Sequence, residues 1–344
     1  MNSIENTIEN VKKENRLLLE IPLEPLQGSF FQPTGFPEIG AATYERPDGT
    51  RMLVVESAQS MANHFEKTII KENTPDLIDE FNGLSYIKID LQDKNKTHMA
   101  AISSLTEAHR INSPYIISDK GFVEKLRKEA GYASLAYPDY KKIGYAFYHF
   151  DINSLIHGAF MSNVGGTFRV PRALSSYIVG EDIKEVTYGG VKFSTVDAGG
   201  KYMVDKGISD KSAYSNIPYS KTDYTAKRIT AYVNLDISLI KSYDLGEDPT
   251  NLLIALSLYK IRDLFAGELK LRTACDLKVI DSYSLDNLPK KTELISYIKE
   301  LIQRCKTNMV VTQITAQLKE NKKNDNNDNN KEEKSSIEDA NNEE

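Results

Sequence analysis

The chain has 344 residues, of which 40% are hydrophobic and 27% are charged, and its formal net charge is −6 at pH 7. This is a soluble globular balance, long enough for one elaborated domain or two ordinary ones. No apolar run approaches the roughly 20 residues of a membrane span, and the polar start "MNSIENTIENVKKENR" has no apolar segment for a secretory signal. We therefore expect a cytoplasmic protein without membrane contact.

The cysteine content and the charge of the C-terminal segment narrow the class of protein further. The two cysteines, Cys275 and Cys305, lie far apart and predict neither a disulfide framework nor a metal cluster. From Lys319 onward the chain is rich in Asn and acidic residues, with five Lys against nine Asp or Glu and a net charge of −4. Residues 319–344 are therefore predicted to be a disordered acidic tail. The rest carries only about −2, which leaves room for a local basic face.

The first half of the chain alternates predicted strands and helices. In "RLLLEIPL" the apolar residues Leu17, Leu19, Ile21 and Leu23 share one face, which predicts a strand. A long Gly/Pro/aromatic loop follows over residues 24–50. Helical spacing then predicts helices in "RMLVVESAQSMANHFEKTIIKE" and near "ISSLTEAHRINSPYI", whereas "KIGYAFYHFDI", with few charges, predicts a strand covered on both faces.

The middle of the chain, about residues 160–227, is predicted to be an insertion made of hairpins. The Gly-Gly pairs of "VTYGGVKFS" and "DAGGKYMVD" are typical of tight turns between strands. From Phe160 to Thr230 there are ten Lys or Arg against seven Asp or Glu, with six Tyr between them. The insertion is therefore mildly basic and rich in tyrosine.

Regular elements return after the insertion. "RITAYVNLDI" predicts a strand with Arg228 and Tyr232 on its outward face, and "DPTNLLIALSLYKIRDLFAG" predicts a helix that begins at Asp248. "GELKLRTACDL" alternates almost without error, so we expect one strand with Lys270 and Arg272 facing solvent or an anion. A buried salt bridge of Arg272 with an acid such as Asp276 or Glu20 is the alternative. An amphipathic helix follows in "KTELISYIKELIQRCK".

Without its insertions, the predicted order is strand, helix, strand, strand, helix, strand. This order is typical of an α+β fold of the ferredoxin-like or RNA-recognition-motif kind, with an antiparallel sheet, helices on one face and the other face open. We expect a polar extension over residues 1–15 and a single elaborated domain over residues 16–318. Folds of this kind bind single-stranded RNA on the open face, although a merely solvated strand face has the same pattern.

Catalytic motifs are weak in this sequence. The Gly pairs lack the continuation of a phosphate-binding loop, and the five His residues have no spacing typical of a zinc site. "EAHRINSPY" brings His109 and Arg110 together, which permits acid–base chemistry on an RNA 2′-hydroxyl, but the same residues suit a helix cap or surface salt bridge. A metal-dependent cut through Asp151, Asp197 or Asp236 is a further alternative. In "TFRVPRALSSY", two arginines three residues apart around a proline suit phosphate or stacked bases, or an ordinary exposed loop.

Several segments together resemble one known family. They are "RLLLEIPLEPLQGSFFQPTGFPEIGAATYE", "MLVVESAQSMANHFE", "EAHRINSPY", "FRVPRALSSYIV", "YGGVKF", "YTAKRITAYVNLDISLIKSYDLG" and "LKLRTACDL". From Arg16 to Asp281, in the same order, they resemble the backbone subunit of type I-G (formerly I-U) CRISPR effector complexes, of the RAMP superfamily. The acidic tail has no counterpart in the family.

The resemblance implies both a fold and a function. It implies an RNA-recognition-motif palm with a helical elaboration and a β-hairpin thumb, and a non-catalytic subunit without cofactor or metal. Copies of such a subunit line up along a CRISPR guide RNA, beside the other subunits of the complex, and present the guide to complementary target DNA. A metal-independent endoribonuclease that processes repeat RNA and a stand-alone single-stranded RNA-binding protein remain alternatives.

The resemblance also indicates where RNA contacts are expected. In such subunits the guide lies along the palm and the loops that leave its strands. In "ANHFE", His64 stands where the family has Arg, so a charge contact there is in doubt at neutral pH. The expected RNA-binding residues are Ser29, Gln32, Thr34, Ser57, Gln59, Asn63, Arg169, Arg172, Lys192, Lys201, Arg228, Lys270 and Arg272.

Overall fold

The structure is a computed structural model that describes residues 3–36, 40–132, 137–162, 164, 169–193 and 217–317. Lys201, Asp197, the "DAGGKYMVD" segment and the predicted acidic tail lie outside these residues. In chain order the elements are α1 (Ser3–Lys13), β1 (Arg16–Pro25), β2 (Gly35–Phe36), β3 (Gly40–Ala41), β4 (Thr43–Glu45), β5 (Arg51–Glu56), α2 (Ala58–Lys67), β6 (Tyr86–Gln92), β7 (His98–Ser103), α3 (Pro114–Ile117), α4 (Lys120–Glu129), α5 (Tyr140–Phe150), α6 (Ile152–His157), β8 (Ala159–Phe160), β9 (Arg169–Val170), β10 (Leu174–Lys192), β11 (Ile217–Asp236), α7 (Ile237–Ser242), α8 (Glu247–Leu264), β12 (Glu268–Arg272), β13 (Cys275–Val279), α9 (Tyr283–Asp286), α10 (Lys291–Cys305) and β14 (Val311–Gln317).

A seven-stranded antiparallel sheet organises the fold. Its strand order is β12-β13-β1-β11-β10-β5-β4, with β1 and β11 near the centre and Ile21 opposite Ala231. The strands β10 and β11 form a long hairpin, and from Ile183 onward β10 has only β11 as a strand partner within the described residues. The protein is thus a mixed α+β structure in which part of one hairpin extends beyond the sheet.

The core lies on one face of this sheet. The alternating apolar residues predicted for β1 and β11, such as Ile21 and Val233, are buried there. Helix α8 packs against α2, α6, α7 and α10, and every residue from Pro249 to Ile261 is buried. A helix that is apolar on all sides must be enclosed by other elements. Within the described residues, no helix has both the length and the apolar character needed to cross a membrane.

Two features enlarge the fold beyond the sequence-based prediction. Strands β14, β6 and β7 form a second sheet in which β14 runs parallel to β6. Helix α1 lies within the segment predicted to be a polar extension, but it contacts α8 and α10, and its Ile4 and Ile8 are buried. Its apolar residues are four apart, so they occupy one face of the helix and contribute to the main core.

Residues 142–152, predicted to form a strand, are helical instead: α5 spans Tyr140–Phe150 and α6 begins at Ile152. Ile143, Ala146, Phe147 and Phe150 are buried at helical spacing, and the Asp139 carboxylate accepts hydrogen bonds from two backbone N–H groups of the first turn. The low charge of this segment reflects a helix buried on most of its circumference. The predicted helix over residues 51–72 is likewise divided, since residues 51–56 form β5 and only Ala58–Lys67 is helical.

The pair Gly189–Gly190, predicted to be a hairpin turn, lies within strand β10. The two residues face Ser220 and Tyr219 on β11. A Cβ at Gly189 would lie 2.9 Å from the carbonyl oxygen of Tyr219, and a Cβ at Gly190 would lie 2.9 Å from the hydroxyl oxygen of Tyr219. The glycines therefore permit close approach of the partner strand rather than a change of chain direction.

The segment "GELKLRTACDL", predicted to be one strand, is a tight hairpin. Strand β12 ends at Arg272 and β13 begins at Cys275, and Ala274 between them has a φ of 56°. The register shifts between Lys270 and Arg272. The turn brings the two halves of an alternating pattern side by side, and a register shift of this kind reorients the side chain that follows it.

Candidate nucleic-acid interface

A cleft of about 780 Å³ opens beside the end of α6. Its walls come from the turn at residues 110–112, the end of α6 and the two-stranded β8–β9 ribbon with the loop that follows it. The lining residues that carry charge or an aromatic ring are His109, Arg110, His157, Phe160, Arg169 and Arg172. We call this the arginine cleft. Its volume is within the range of small-molecule and cofactor sites.

The deepest arginine of the cleft is neutralised by a buried carboxylate. Arg110 donates through Nε and Nη2 to the two oxygens of Glu66 at 2.6 and 2.8 Å, and through Nη1 to the Gly158 carbonyl at 3.2 Å. Both residues are less than one-tenth exposed. Glu66 lies in the last turn of α2 and also accepts from Asn153 at 2.8 Å. Both of its oxygens are therefore occupied.

Arg172 has no such partner. Its guanidinium is half-buried, and within the described residues no carboxylate forms an ion pair with it. Burial, and then the neighbouring Arg110, lower the pKa of Arg172. A Cβ at Gly158 would lie 2.8 Å from the Val170 carbonyl and 3.1 Å from Arg172, so glycine is what lets the Arg172 segment lie against the end of α6. Arg172 has lost part of its hydration and lies near a second positive charge. Binding of an anion at this guanidinium is therefore favourable.

A cationic and aromatic pair stands at the mouth of the cleft. The guanidinium of Arg169 lies 4.4 Å from the ring centroid of Phe160, and both side chains are exposed. The structure thus brings Arg169 and Arg172, predicted together from "TFRVPR", into one site. Phe160 was not among the expected residues, because a single aromatic residue gives no signal in sequence.

The floor of the cleft is a buried polar network. His157 ends α6, and its Nε2 lies 3.0 Å from Nζ of Lys260, which also donates to Oδ1 of Asn153 at 2.7 Å. Burial lowers the pKa of Lys260 to about 7 and holds that of His157 well below 6.5. Both side chains are fully buried. Lys260 was missed as well, although a lysine inside the apolar run "LLIALSLYKI" is an unusual position that could have indicated it.

Asp151, at the start of α6, gives the fold a testable pH dependence. It is fully buried, its Oδ2 accepts from Ser154 Oγ at 2.6 Å, and burial raises its pKa from 3.8 to about 6. The folded state therefore binds this proton more tightly than the unfolded state. The raised pKa contributes about 3 kcal/mol to the free energy of unfolding. This contribution is fully present below pH 4 and is lost as the pH rises through 6.

We expect Asp151→Asn to remove this contribution. Several other carboxyls have lowered pKa values and act in the opposite direction, so the quantity to measure is the difference in free energy of unfolding between parent and variant, by urea titration from pH 4 to 7. The parent should lose stability relative to Asp151→Asn as the pH rises. A difference that stays constant across this range would contradict the assignment.

A second group of expected residues meets at Arg272, where the loop after β1, the start of α2 and the β12–β13 turn converge. Arg272 donates through Nη1 to the Gln32 carbonyl at 3.0 Å and forms an ion pair with Glu56, which is 1% exposed. Gln32 accepts through its side chain from Lys221 Nζ at 3.0 Å. We call these residues the Arg272 cluster. Arg272 does not lie on an open outward face: it reaches a buried carboxylate, so the alternative of a buried salt bridge is the one observed, with Glu56 rather than Glu20 or Asp276 as the partner.

Helix α2 connects the two groups. Ser57 caps the helix next to Glu56, with Oγ accepting from the Ser60 N–H at 3.3 Å, whereas Glu66 lies in its last turn beneath the arginine cleft. A ten-residue helix is about 15 Å long. Gln59 and Asn63 are exposed, as is Lys67, and their four-residue spacing places them on one face. Burial lowers the pKa of His64, so it is uncharged at neutral pH.

The remaining expected residues are dispersed. Arg228 is exposed and forms an ion pair with Glu181, and Lys270 is exposed on β12. Lys192 lies exposed at the end of β10, Ser29 is exposed in the loop after β1, and Thr34 in the same loop is half-buried. On the sheet face away from the helices, the rings of Tyr177 and Tyr232 stack at 5.3 Å. The structure gathers the arginine cleft and the Arg272 cluster, but it does not bring these other residues to either.

The alternative catalytic groups that lie within the described residues are engaged in separate contacts, and Asp197 is outside those residues. Arg110 pairs with Glu66, and Glu107 accepts from Ser113 Oγ at 2.7 Å, so His109 is the titratable side chain of that motif that is exposed at the cleft. Asp236 accepts from the Leu239 N–H at the start of α7. Among the residues that the structure describes, no three His, Cys, Asp or Glu side chains are grouped as metal ligands would be.

Fold and site together define an α+β protein with an antiparallel sheet and a basic cleft suited to an anion. The family described as "CRISPR-associated protein GSU0053" matches residues 17–185, just under half of the chain. This part of the chain includes α2, Arg110 and the complete wall of the arginine cleft. None of the curated proteins matches the chain.

Two solved structures show distant likeness. One is a chain of a "CRISPR RNA-guided surveillance complex, pre-nicking", with 9% identity, coverage of 71% of this chain and 67% of that chain, and a TM-score of 0.36. The other is the crystal structure of Thermofilum pendens Csc2, with 11% identity, coverage of 90% and 81%, and a TM-score of 0.28.

Proposed function

We propose that this protein is a non-catalytic, CRISPR RNA-binding backbone subunit. In this proposal several copies line up along a guide RNA with other subunits of an effector complex, and the guide is presented to complementary DNA. The match of residues 17–185 to a CRISPR-associated family supports it. When the intervening elements are left out, the chain has the order strand, helix, strand, strand, helix, strand, formed by β1, α2, β10, β11, α8 and β13. This is the order expected of an RNA-recognition-motif palm. The extended part of the β10–β11 hairpin is the candidate thumb.

The observation that carries the proposal is Arg172, which has no ion-pair partner among the described residues and lines the arginine cleft together with Arg169 and Phe160. Guanidinium groups bind phosphates with directional hydrogen bonds, and exposed aromatic rings or guanidinium planes stack on bases. Glu66 does not cancel this charge, since Arg110 and Asn153 occupy its oxygens. The cleft therefore presents net positive charge and a planar surface to solvent, as single-stranded RNA requires.

For the path of the RNA we propose the exposed face of helix α2. The helix begins beside Glu56 of the Arg272 cluster and has the buried Glu66 in its last turn, and Gln59, Asn63 and Lys67 are exposed along one of its faces. Amide side chains and a lysine suit contacts with sugar and phosphate groups that do not depend on base identity. Sequence-independent contact is what a subunit needs if it is to bind any guide.

The test is guide RNA binding by the double variant Arg169→Ala/Arg172→Ala. We expect a loss of affinity of roughly 10- to 100-fold and a decrease of about one in the dependence of log affinity on log salt, because the phosphate contact of Arg172 and the stacking surface of Arg169 are removed. Fluorescence anisotropy with labelled guide RNA at several salt concentrations measures both quantities. Sedimentation of the same samples reports whether several copies assemble on one RNA.

Arg304→Ala is the matched control, because Arg304 is an exposed arginine on α10 that pairs with Asp248 and does not line the cleft. It should bind guide RNA as the parent does. Absence of RNA binding by the parent at every salt concentration would refute the proposal. Binding by single copies only would indicate a stand-alone RNA-binding protein, and cleaved RNA would indicate an endoribonuclease.

A further inference from the structure

We infer that His157 is a ligand-binding residue, which donates a hydrogen bond from Nδ1 to a phosphate oxygen of a nucleotide unit held in the arginine cleft by Arg172. The inference rests on the proposed function only in taking RNA as the source of that unit. The class of ligand, a phosphate ester that carries a planar base, follows from the cleft itself.

Lys260 determines which ring nitrogen of His157 carries the proton. Lys260 Nζ lies 3.0 Å from Nε2 of His157. An ammonium group has only donors, so Nε2 must accept, and in a neutral imidazole the proton then resides on Nδ1. The pKa of Lys260 is lowered to about 7 and that of His157 lies well below 6.5, so near pH 6 the lysine is charged while the imidazole is neutral. His157 is therefore expected in the Nδ1–H form.

This Nδ1 is a buried donor without a partner. His157 is 0% exposed, lines the cleft, and its Nδ1 has no hydrogen-bond partner within the described residues. Buried polar groups in folded proteins are almost always hydrogen-bonded, and an exception in a cleft indicates a ligand that completes it. Arg172, beside the same wall, is likewise without an ion-pair partner among the described residues.

The two donors suit one kind of ligand. A guanidinium and a neutral N–H that share a cleft require an acceptor with negative charge and more than one oxygen, and a phosphate ester has both. Arg169 over Phe160 forms a planar cationic and aromatic surface at the mouth, on which a base can stack. The Glu66 carboxylate acts on Arg172 only through its charge, which raises the pKa of Arg172, since its oxygens already accept hydrogen bonds from Arg110 and Asn153. Phosphate at the floor and base at the mouth is the arrangement that uses all of these groups.

The experiment observes the imidazole directly. The full chain, labelled with ¹⁵N in its five histidines, is followed by NMR at pH 6 while inorganic phosphate, uridine 3′-monophosphate or a short single-stranded RNA is added. Before addition, the buried histidine should be in the Nδ1–H form. On addition of nucleotide or RNA its Nδ1 resonance should shift by several ppm, and Arg172→Ala should weaken binding of the mononucleotide about 10-fold. Arg304→Ala should leave both unchanged.

The outcomes separate this inference from the proposed function. A buried histidine in the Nε2–H form, or one whose resonance does not move when RNA is tightly bound, overturns the inference and leaves guide binding intact. A shift with uridine 3′-monophosphate but no binding of guide RNA supports the site and refutes the proposed function. A shift with inorganic phosphate alone shows that the phosphate, and not the base, is recognised. No shift with any of the three probes overturns the inference.

Discussion

Arg272→Ala is expected to lower the free energy of unfolding by about 3–5 kcal/mol, because it leaves a buried carboxylate without its counter-charge. Glu56 is 1% exposed, and Arg272 is the residue that forms an ion pair with it. The same guanidinium binds the Gln32 carbonyl at 3.0 Å, so the loop after β1 loses an anchor as well. Urea titration monitored by circular dichroism measures the loss.

Two variants test the cause of that loss. Lys270→Ala removes an exposed cation from the same strand, and it should change stability by no more than about 0.5 kcal/mol. Adding Glu56→Gln to Arg272→Ala removes the stranded charge and should recover part of the stability, as a double-mutant cycle reveals. If Arg272→Ala is as stable as Lys270→Ala, the ion pair contributes nothing and the arginine is available for RNA.

Glu66→Ala is expected to lower the free energy of unfolding by as much as Arg272→Ala does, or by more. Removing this carboxylate leaves the buried Arg110 without its ion-pair partner and frees the Asn153 amide, beside the half-buried Arg172. Breaking a buried pair by deleting one partner costs about 3–5 kcal/mol. The variant should also bind anions more tightly once folded, since the cleft gains a positive charge. Thermal unfolding with and without added phosphate measures both effects.

The matched control is Glu124→Ala, since Glu124 is an exposed residue of α4. A surface change of this kind usually alters stability by less than about 0.5 kcal/mol. Equal melting temperatures for Glu66→Ala and Glu124→Ala would contradict the buried-pair interpretation. A destabilised Glu66→Ala variant whose melting temperature does not respond to phosphate would show that the pair is structural without an anion site next to it.

Parts of the fold follow from the sequence, where a local period coincides with a buried face. The alternation in β1 and β11 predicts their inner faces, since Ile21 and Val233 are buried as expected. The helices α8 and α10 lie where their apolar spacing predicts them, although α8 begins at Glu247 with Gly246 as its N-cap, so the capping role expected of Asp248 is wrong. In the arginine cleft, Arg169 and Arg172 could be singled out because they are three residues apart around a proline. In each of these cases the pattern that predicts the structure lies within a few neighbouring residues.

Tertiary structure decided the rest, because burial and pairing depend on segments that are distant in the chain. The low charge of "KIGYAFYHFDI" fits a covered strand and a buried helix equally well, and only the packing around α5 distinguishes them. The partner of Arg272 is 216 residues away, and Lys260 contacts His157 across 103 residues. By itself, the sequence determined which faces are apolar and which short motifs are basic. The fold determined which charges are neutralised, because a counter-charge or a hydrogen-bond partner acts only at contact distance, and contact distance is set by the packing of the whole chain.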